Sequence, residues 1–217
     1  QVGVALAEAG VMIEVFRPYL DGILPDPQGD YVGLVVFGGE QSAVDDALHP
    51  YLPALAREMR AFDEAGRAVL GICLGAQLLA RAWGAANHVG TSREFGWQTI
   101  ETTDSAADDP VLCSVPRGFA SFQWHSDHYD LPQGATRLAA NAAAENQAFR
   151  VGNRSWGMQF HFEVSRAVAA AWNRRFPKEV EARHPGWLAE FDRLAARHAP
   201  ASDAAGLAVA RAWVAQL

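Results

Sequence analysis

The chain has 217 residues, half of them hydrophobic and a fifth charged, which is enough for one large globular domain with a substantial core. Its formal net charge of −7 argues against non-specific binding to nucleic acid or to an anionic membrane surface. Two cysteines are too few for a disulfide framework. With neither a signal peptide nor a membrane-spanning segment recognised, a reduced, cytoplasmic setting is the default expectation.

The first predicted elements follow one another closely. Residues 2–9 predict a helix that ends at Gly10. A helix with no strand before it is unusual in an α/β fold, so we expect that a short N-terminal strand is missing from the sequence as given. Residues 11–16 predict a strand, and residues 18–29 a loop rich in Pro, Gly and Asp. The continuous apolar run at 32–37 is typical of a strand buried on both faces of a parallel sheet.

The next elements repeat the order strand, turn, helix. A helix that ends at Gly66 is predicted from apolar residues spaced alternately by four and three, namely Leu48, Leu52, Leu55, Met59 and Phe62. Ala68–Ile72 predicts another buried strand, and residues 76–83 another helix. This order predicts right-handed crossovers and a parallel sheet covered by helices.

The second half of the chain has a different pattern. Short strands are predicted near 97–102, 119–124, 137–140, 148–151 and 156–160, either as antiparallel additions or as a continuation of the sheet. From Val164 the pattern is helical, with breaks at Pro177, Pro185-Gly186 and Pro200. We therefore expect a single α/β domain over 1–217, with a core to about residue 165 and a helical extension over about 166–217.

Cys73 stands between a predicted strand and a predicted helix, with Gly71 two residues before it and Gly75 two residues after it. Glycines relieve crowding in a sharp strand-to-helix turn of the nucleophile-elbow type. The helix N-terminus favours a thiolate, and the amide of Leu74 is placed to donate to an oxyanion. On this pattern alone, a nucleophile and a small buried cysteine are equally expected. Cys113 has no such setting and is assigned to packing.

A cysteine nucleophile needs a base and a group that orients the base. His161 follows an apolar strand, and Glu163 lies two residues later, on the same side if the backbone stays extended. A lone histidine at a strand end is more often structural, but the His-x-Glu pair together with the cysteine turn reverses that preference. Gln77 lies one helical turn after Cys73 and is predicted to face the same pocket rather than solvent.

Gly38-Gly39 closes the strand predicted at 32–37. Because neighbouring parallel strands end at the same edge of a sheet, this turn is predicted to lie near Cys73. The amide of Gly39 is then a second candidate donor to the oxyanion, beside that of Leu74. An ordinary tight turn explains the two glycines equally well.

Three segments together resemble the class I glutamine amidotransferases of the Cys-His-Glu type. They are Gly-Ile-Cys-Leu-Gly-Ala-Gln at 71–77, Gln-Phe-His-Phe-Glu at 159–163 and Phe-Gly-Gly at 37–39. Residues 122–132 and 146–152 resemble the stand-alone branch of this family that is labelled GMP-synthase-like. The resemblance extends from the first helix to about residue 165, and the residues after it carry no motif that we can assign.

The resemblance implies a mostly parallel central sheet of about seven or eight strands with flanking helices, a flavodoxin-like three-layer fold. It implies that Cys73 attacks the side-chain amide of glutamine, or a related γ-glutamyl amide, to form a thioester. His161 would transfer the protons, and Glu163 would orient His161. The amides of Gly39 and Leu74 would stabilise the oxyanions.

The same resemblance implies where the substrate binds. Gln77 and the backbone near Ser126 would hold the α-amino and α-carboxylate groups of the substrate, and Asp127 would assist at the amino end. No metal and no organic cofactor is required. His125, Asp127 and His128 lie close together in sequence, but they lack a distant complementary cluster, so loop polarity or substrate contact is favoured over a metal site.

Three positions depart from the residues usual in the family. Phe162 and Glu40 stand where proline is usual, and Ser126 stands where glycine is usual. Phe162 frees the backbone between the predicted base and its orienting acid, Glu40 alters the oxyanion turn, and Ser126 narrows the substrate pocket. A weakly active or inactive binding relative therefore stays open as an interpretation.

Two catalytic interpretations stay open beside it. A glutaminase of the amidotransferase type would pass ammonia to a separate synthase subunit, whereas a free-standing γ-glutamyl hydrolase would cleave γ-glutamyl peptides, amines or conjugates with no acceptor. Dienelactone-hydrolase-like enzymes also use a Gly-x-Cys-x-Gly turn, but Gln77 and the His-x-Glu pair fit them less well. We expect no nucleic-acid or membrane partner, and a homo-oligomer stays open.

Overall fold

The computed structural model describes residues 1–217. Its strands are β1 (Gly33–Val36), β2 (Ala68–Ile72), β3 (Asn87–His88), β4 (Glu94–Thr102), β5 (Gly118–His125), β6 (His128–Tyr129), β7 (Thr136–Ala140), β8 (Ala148–Val151) and β9 (Ser155–Met158). Its helices are α1 (Val2–Glu8), α2 (Pro18–Asp21), α3 (Leu52–Glu64), α4 (Leu74–Ala82), α5 (Arg166–Arg175), α6 (Pro177–Arg183) and α7 (Trp187–Val214). Two short 3₁₀ turns cover Asp104–Asp108 and Leu112–Ser114. None of the helices has the length and apolar content needed to span a bilayer.

Seven strands form one sheet in the order β1-β2-β9-β8-β7-β4-β5, and β3 pairs with β6 in a separate two-stranded ribbon. Within the large sheet, β1–β2 and β2–β9 are parallel, and the other four pairings are antiparallel. The expected sheet flanked by helices is therefore confirmed, but its expected predominance of parallel pairs is wrong. The connections that join β7, β8 and β9 are too short for the crossover that a parallel pair requires, so these neighbours are antiparallel.

The fully buried strand β2 shows how the layers are built. Because side chains alternate along a strand, Ala68, Leu70 and Ile72 enter a core shared with α1 and the end of α7. Val69 faces the opposite way, into a second core formed with α3 and α4. A third, smaller cluster packs Phe122 of β5 against residues of α5, α6 and α7.

The parallel strands β1, β2 and β9 bring three predicted site segments to one edge of the sheet. Their carboxyl ends lead into the glycine pair at 38–39, into Cys73 and into the segment that contains His161. This common edge is where ligands bind in sheets of this kind. The parallel third of the sheet therefore positions the candidate site.

Two local expectations fail near the N-terminus. The strand predicted at 11–16 is absent, and Met12 is 95% exposed. A segment rich in residues that favour β-strands forms a strand only where another strand pairs with it, and no strand pairs with residues 11–16. Leu48 is 73% exposed, because α3 begins only at Leu52 and Leu48 therefore lies outside the helix whose apolar face it was expected to join. The helix ends predicted at Gly10 and Gly66 are confirmed. Each glycine lies just after the end of its helix and has a positive φ.

Pro200 lies inside α7 and does not end it. An interior proline costs a helix about 3 kcal/mol. The helix continues because buried residues flank the proline on both sides, including Ala195 and Ala199 before it and Val209 and Trp213 after it. The breaks predicted at Pro177 and at Pro185-Gly186 are confirmed, because α6 begins at Pro177 and α7 begins directly after Gly186.

Candidate functional site

Cys73 forms the sharp turn between β2 and α4. It is the only non-glycine residue with a positive φ, with φ 54° and ψ −108°. A backbone of this kind costs about 1–3 kcal/mol and persists only where its surroundings enforce it. Here the N–H of Cys73 donates to Met158 O at 2.8 Å, and the N–H of Gln77 donates to Cys73 O at 3.1 Å. The turn therefore holds the thiol-bearing carbon at the N-terminus of α4.

The two glycines that flank this turn are required by close packing. A methyl group at Gly75 would overlap the carbonyl oxygen of Val36, and a methyl group at Gly71 would overlap the carbonyl of Gly75. Neither glycine has a positive φ, so it is contact distance, not backbone freedom, that excludes a side chain. The Gly-x-Cys-x-Gly pattern thus reflects the tight packing of β1, β2 and α4 around the cysteine.

His161 and Glu163 meet as the sequence predicts. His161 Nδ1 lies 2.7 Å from Glu163 Oε1, and the N–H of His161 donates to Phe122 O of β5 at 2.8 Å. Burial lowers the pKa of His161, but its interactions with Glu163 and with the sulfur of Cys73 outweigh the burial and hold the pKa well above its ordinary value. The arrangement therefore favours a charged imidazolium beside the sulfur.

Gly38 lies between the cysteine and the histidine. A methyl group at this position would lie 2.8 Å from His161 Cε1 and 3.3 Å from Cys73 Cβ. The two side chains therefore approach each other across a gap that only glycine leaves open. Next to it, a methyl group at Gly39 would overlap Oε1 of Gln41 and lie 3.0 Å from Cδ2 of Leu74, so Gly39 packs against the side chain of Leu74.

The side chain of Gln77 is buried and already hydrogen-bonded. Its Nε2 donates to Gln159 Oε1 at 3.2 Å and to Asp127 O at 3.4 Å. Ser126 O accepts from Ser92 N at 2.9 Å, and Asp127 Oδ1 accepts from Gly90 N at 3.0 Å. The structure thus brings Gln77 and the 126–127 segment together, but it uses the Asp127 carboxylate to hold a neighbouring loop.

A buried polar network fixes the segment before Ser126. His125 Nε2 lies 3.0 Å from Glu94 Oε2, and His125 Nδ1 lies 3.1 Å from Asp127 O. Asn141 and Gln147 donate to the same carboxylate at 2.5 Å each. Burial raises the pKa of Glu94, but these hydrogen bonds outweigh it and hold its pKa below the ordinary value. His125 is therefore part of a structural network, and no cluster of three or more His, Cys, Asp or Glu side chains is arranged to hold a metal.

Several residues of the site were not among the sequence-based candidates. The thiol of Cys73 lies 3.9 Å from Trp124 O, and Trp172 of α5 packs against the His161 ring. Gln159 could have been recognised, since it is polar, ends an apolar strand and precedes His161 by two residues. The sequence around Glu94 resembles that of an ordinary surface segment, and the sequence around Trp172 that of an ordinary helix, so neither residue could have been recognised.

Two features lie outside the site. Cys113 is exposed, so its assignment to packing is wrong; it lies in a 3₁₀ turn whose buried residue is Leu112. A surface cavity of about 470 Å³ opens between α2 and the start of α3, beside Tyr19 and Tyr51. None of the three catalytic candidates lines this cavity.

Comparison with known proteins adds to this geometry. Residues 3–173 match the family model described as glutamine amidotransferase class-I. The glutamine amidotransferase-like protein YfeJ of Salmonella typhimurium is 32% identical over 161 residues, which cover 73% of this chain and 67% of that protein. One subunit of the glutamine-hydrolysing GMP synthase of Methanoregula boonei is 32% identical over 140 residues, covering 64% of this chain and 68% of the relative.

A further relative and a solved structure extend the likeness. Gamma-glutamyl peptidase 3 of Arabidopsis thaliana is 27% identical over 170 residues, covering 74% of this chain and 66% of that protein. The crystal structure of a glutamine amidotransferase from Methylobacillus flagellatus superposes with a TM-score of 0.84 at 26% identity, covering 99% of this chain and 88% of the other. Nearly the whole chain, the C-terminal helices included, thus has a structural counterpart, and the chain belongs to the class I glutamine amidotransferase family.

Proposed function

We propose that the protein hydrolyses the side-chain amide of glutamine, or of a related γ-glutamyl compound, through a thioester on Cys73. The observation that carries the proposal is the meeting of a strained cysteine turn with a His161–Glu163 pair across Gly38. A nucleophile beside a base that is itself oriented by an acid is the constellation that acyl transfer requires.

In the proposed acylation, Cys73 Sγ attacks the amide carbon, and the carbonyl oxygen becomes an oxyanion within reach of the amides of Gly39 and Leu74. Leu74 is the first residue of α4, so its N–H has no partner within the helix. His161 gives its proton to the amide nitrogen, the C–N bond breaks, and ammonia or an amine leaves.

In the proposed deacylation, neutral His161 takes a proton from water, and the resulting hydroxide attacks the thioester carbon. The same two amides stabilise the second oxyanion. The C–S bond breaks, the thiolate of Cys73 returns, and glutamate or a γ-carboxylate product leaves. Glu163 acts through its 2.7 Å contact with Nδ1, which keeps Nε2 free for these transfers.

We propose that the α-amino and α-carboxylate groups of the substrate lie against Gln77 and the backbone at 126–127. The buried hydrogen bonds of Gln77, and those of His125 to Glu94, keep this wall rigid before a substrate arrives. Asp127 is a weaker candidate for an amino-group partner, since Gly90 N already donates to its Oδ1.

The relatives support two versions of this chemistry. One is named as a subunit of GMP synthase, which favours release of ammonia to a separate synthase, and another is named a gamma-glutamyl peptidase, which favours direct hydrolysis. We propose direct hydrolysis of glutamine or a γ-glutamyl compound as the activity of the chain alone, with ammonia transfer added only when a synthase partner is bound. A binding protein with a weak site is the remaining alternative, given Phe162, Glu40 and Ser126.

The test is incubation of the purified protein with glutamine and a panel of γ-glutamyl peptides and amines, with glutamate release followed by mass spectrometry. Cys73→Ala should abolish turnover and leave the melting temperature within a few degrees of the parent protein. A glutamine-like electrophile should add its mass to a peptide that contains Cys73. Equal turnover by the alanine variant would refute the mechanism, and labelling without turnover would favour the binding alternative.

A further inference from the structure

The C-terminal helices contact the catalytic candidates directly. The ring of Trp172 in α5 packs edge-to-face against that of His161, with centroids 5.3 Å apart and planes at 85°. Trp172 is half-buried, and it is the aromatic ring in contact with the imidazole. Edge-to-face contacts of this kind are directional, so they restrict how a ring turns.

Trp172 is itself held by two aromatic side chains of β5. It lies 5.4 Å from Trp124 and 6.0 Å from Phe122, centroid to centroid, in edge-to-face geometry. The carbonyl of Trp124 is the one that lies 3.9 Å from Cys73 Sγ, and the carbonyl of Phe122 accepts from the N–H of His161. Residues of one aromatic cluster thus contact both groups, the sulfur through the backbone carbonyl of Trp124 and the imidazole through the ring of Trp172.

A second helix approaches the backbone between the base and its orienting acid. A methyl group at Gly206 of α7 would overlap the carbonyl oxygen of Phe162. Phe162 is 1% exposed and packs against Phe160. The flexibility expected from a non-proline residue at this position is therefore removed by packing from outside the turn.

We propose that Trp172 is a positioning residue for His161. Nδ1 faces Glu163 only while the imidazole stays in its present plane, and the edge-to-face contact with the indole opposes rotation of the ring out of that plane. In this proposal the indole also limits the access of water to the hydrogen bond between His161 and Glu163. This inference rests on the proposed function only in assigning His161 as the base.

The test compares two tryptophans of the same aromatic cluster. Trp97→Leu is the matched control, because it removes a tryptophan of the same cluster whose ring does not contact His161. The ring of Trp97 packs against Phe122, Trp187, Phe191 and His198. Trp172→Leu should lower kcat/KM by roughly 10- to 100-fold, mainly through kcat, since a small misplacement of a catalytic group has an effect of this size. Trp172→Phe should recover most of the loss, and Trp97→Leu should stay within about threefold of the parent protein at temperatures where all variants are folded.

A second readout needs no substrate. A proton held in a short, sheltered histidine–carboxylate hydrogen bond gives a resolved low-field signal in ¹H NMR, and exchange with water removes it. The parent protein, Trp172→Phe and Trp97→Leu should show this signal for His161 Nδ1–H, and Trp172→Leu should lose it. If Trp172→Leu keeps the signal, or the parent protein lacks it, the proposal is wrong. Absence of turnover in the parent protein would instead count against the proposed function, while the NMR comparison still decides the role of Trp172.

Discussion

The proposed nucleophile, Cys73, and the proposed base, His161, are held in place in different ways. Cys73 is held within the parallel part of the sheet, by Gly71 and Gly75 in its own turn and by Met158 of the neighbouring strand. The His161–Glu163 pair instead depends on distant residues, since Phe122 holds its backbone and Trp172 packs on its ring. Damage to the remote helices should therefore affect proton transfer before it affects the thiol.

We expect the largest effect from a substitution beside the proposed base, His161. Glu163→Gln removes the negative charge that raises the pKa of His161 while preserving the size of the side chain. We expect kcat to fall by about 10²- to 10⁴-fold, the usual contribution of an oriented acid–base group. Burial then lowers the pKa of His161 without opposition from Glu163, so the alkaline limb of the rate profile should move to lower pH.

The direction of this pH shift separates orientation from general damage. The leaving nitrogen takes its proton from the imidazolium, so a lower pKa of His161 depletes the active form at a lower pH. Glu163→Asp keeps the charge and should leave the limb near its original position even if kcat drops. A Glu163→Gln profile with an unmoved limb would contradict the proposed electrostatic role.

The cysteine turn should respond through stability. Gly75→Ala forces a methyl group onto the carbonyl of Val36, so the free energy of unfolding should fall by about 1–3 kcal/mol, with loss of alkylation of Cys73 by glutamine-like electrophiles. Gly3→Ala in α1 is the control, because no atom lies within 4 Å of the added methyl group, and it should be neutral or slightly stabilising in the same denaturant titration.

The smallest effect is expected from a substitution that weakens α5 but keeps Trp172 in place. Ser165 caps α5, which carries Trp172, and its hydroxyl accepts from Val168 N at 3.4 Å. Ser165→Ala should cost about 0.5 kcal/mol of unfolding free energy, since the bond is long, and should reduce kcat at most about twofold. Ser165→Asp retains a capping oxygen and should match the parent protein. If Ser165→Ala lowered the labelling of Cys73 more than it lowered kcat, then Cys73, and not His161, would be the residue that depends on α5.

The residues that the sequence predicts correctly are those whose constraint is local or periodic. The bounds of β2 and β8 and the caps at Gly10 and Gly66 follow from patterns within a few residues. The strand expected at 11–16 fails because pairing, not composition, decides whether a strand forms. Pro200 fails as a helix end because burial on both sides of it outweighs its cost.

The same division explains the site. The strand-to-helix turn at Cys73 and the contact between His161 and Glu163 could be predicted, because each depends on residues within a few positions in the chain. Trp172, Glu94 and Gly206 could not, since their roles come from contacts between elements far apart in sequence. The pattern of the second half leaves the direction of its strands open, because strand order and direction depend on how the whole chain folds back.

Because α7 packs against the rest of the domain, a protein shortened to the region of the family match would lose contacts that its core needs. Its 28 residues extend over about 42 Å, and Trp187 at one end and Trp213 at the other belong to separate clusters. The matched region stops at residue 173, directly after the tryptophan that touches the imidazole. A fragment that ended there would keep every motif residue. It would lose the α7 residues that bury the core beneath β2 and those that cover Phe122 of β5.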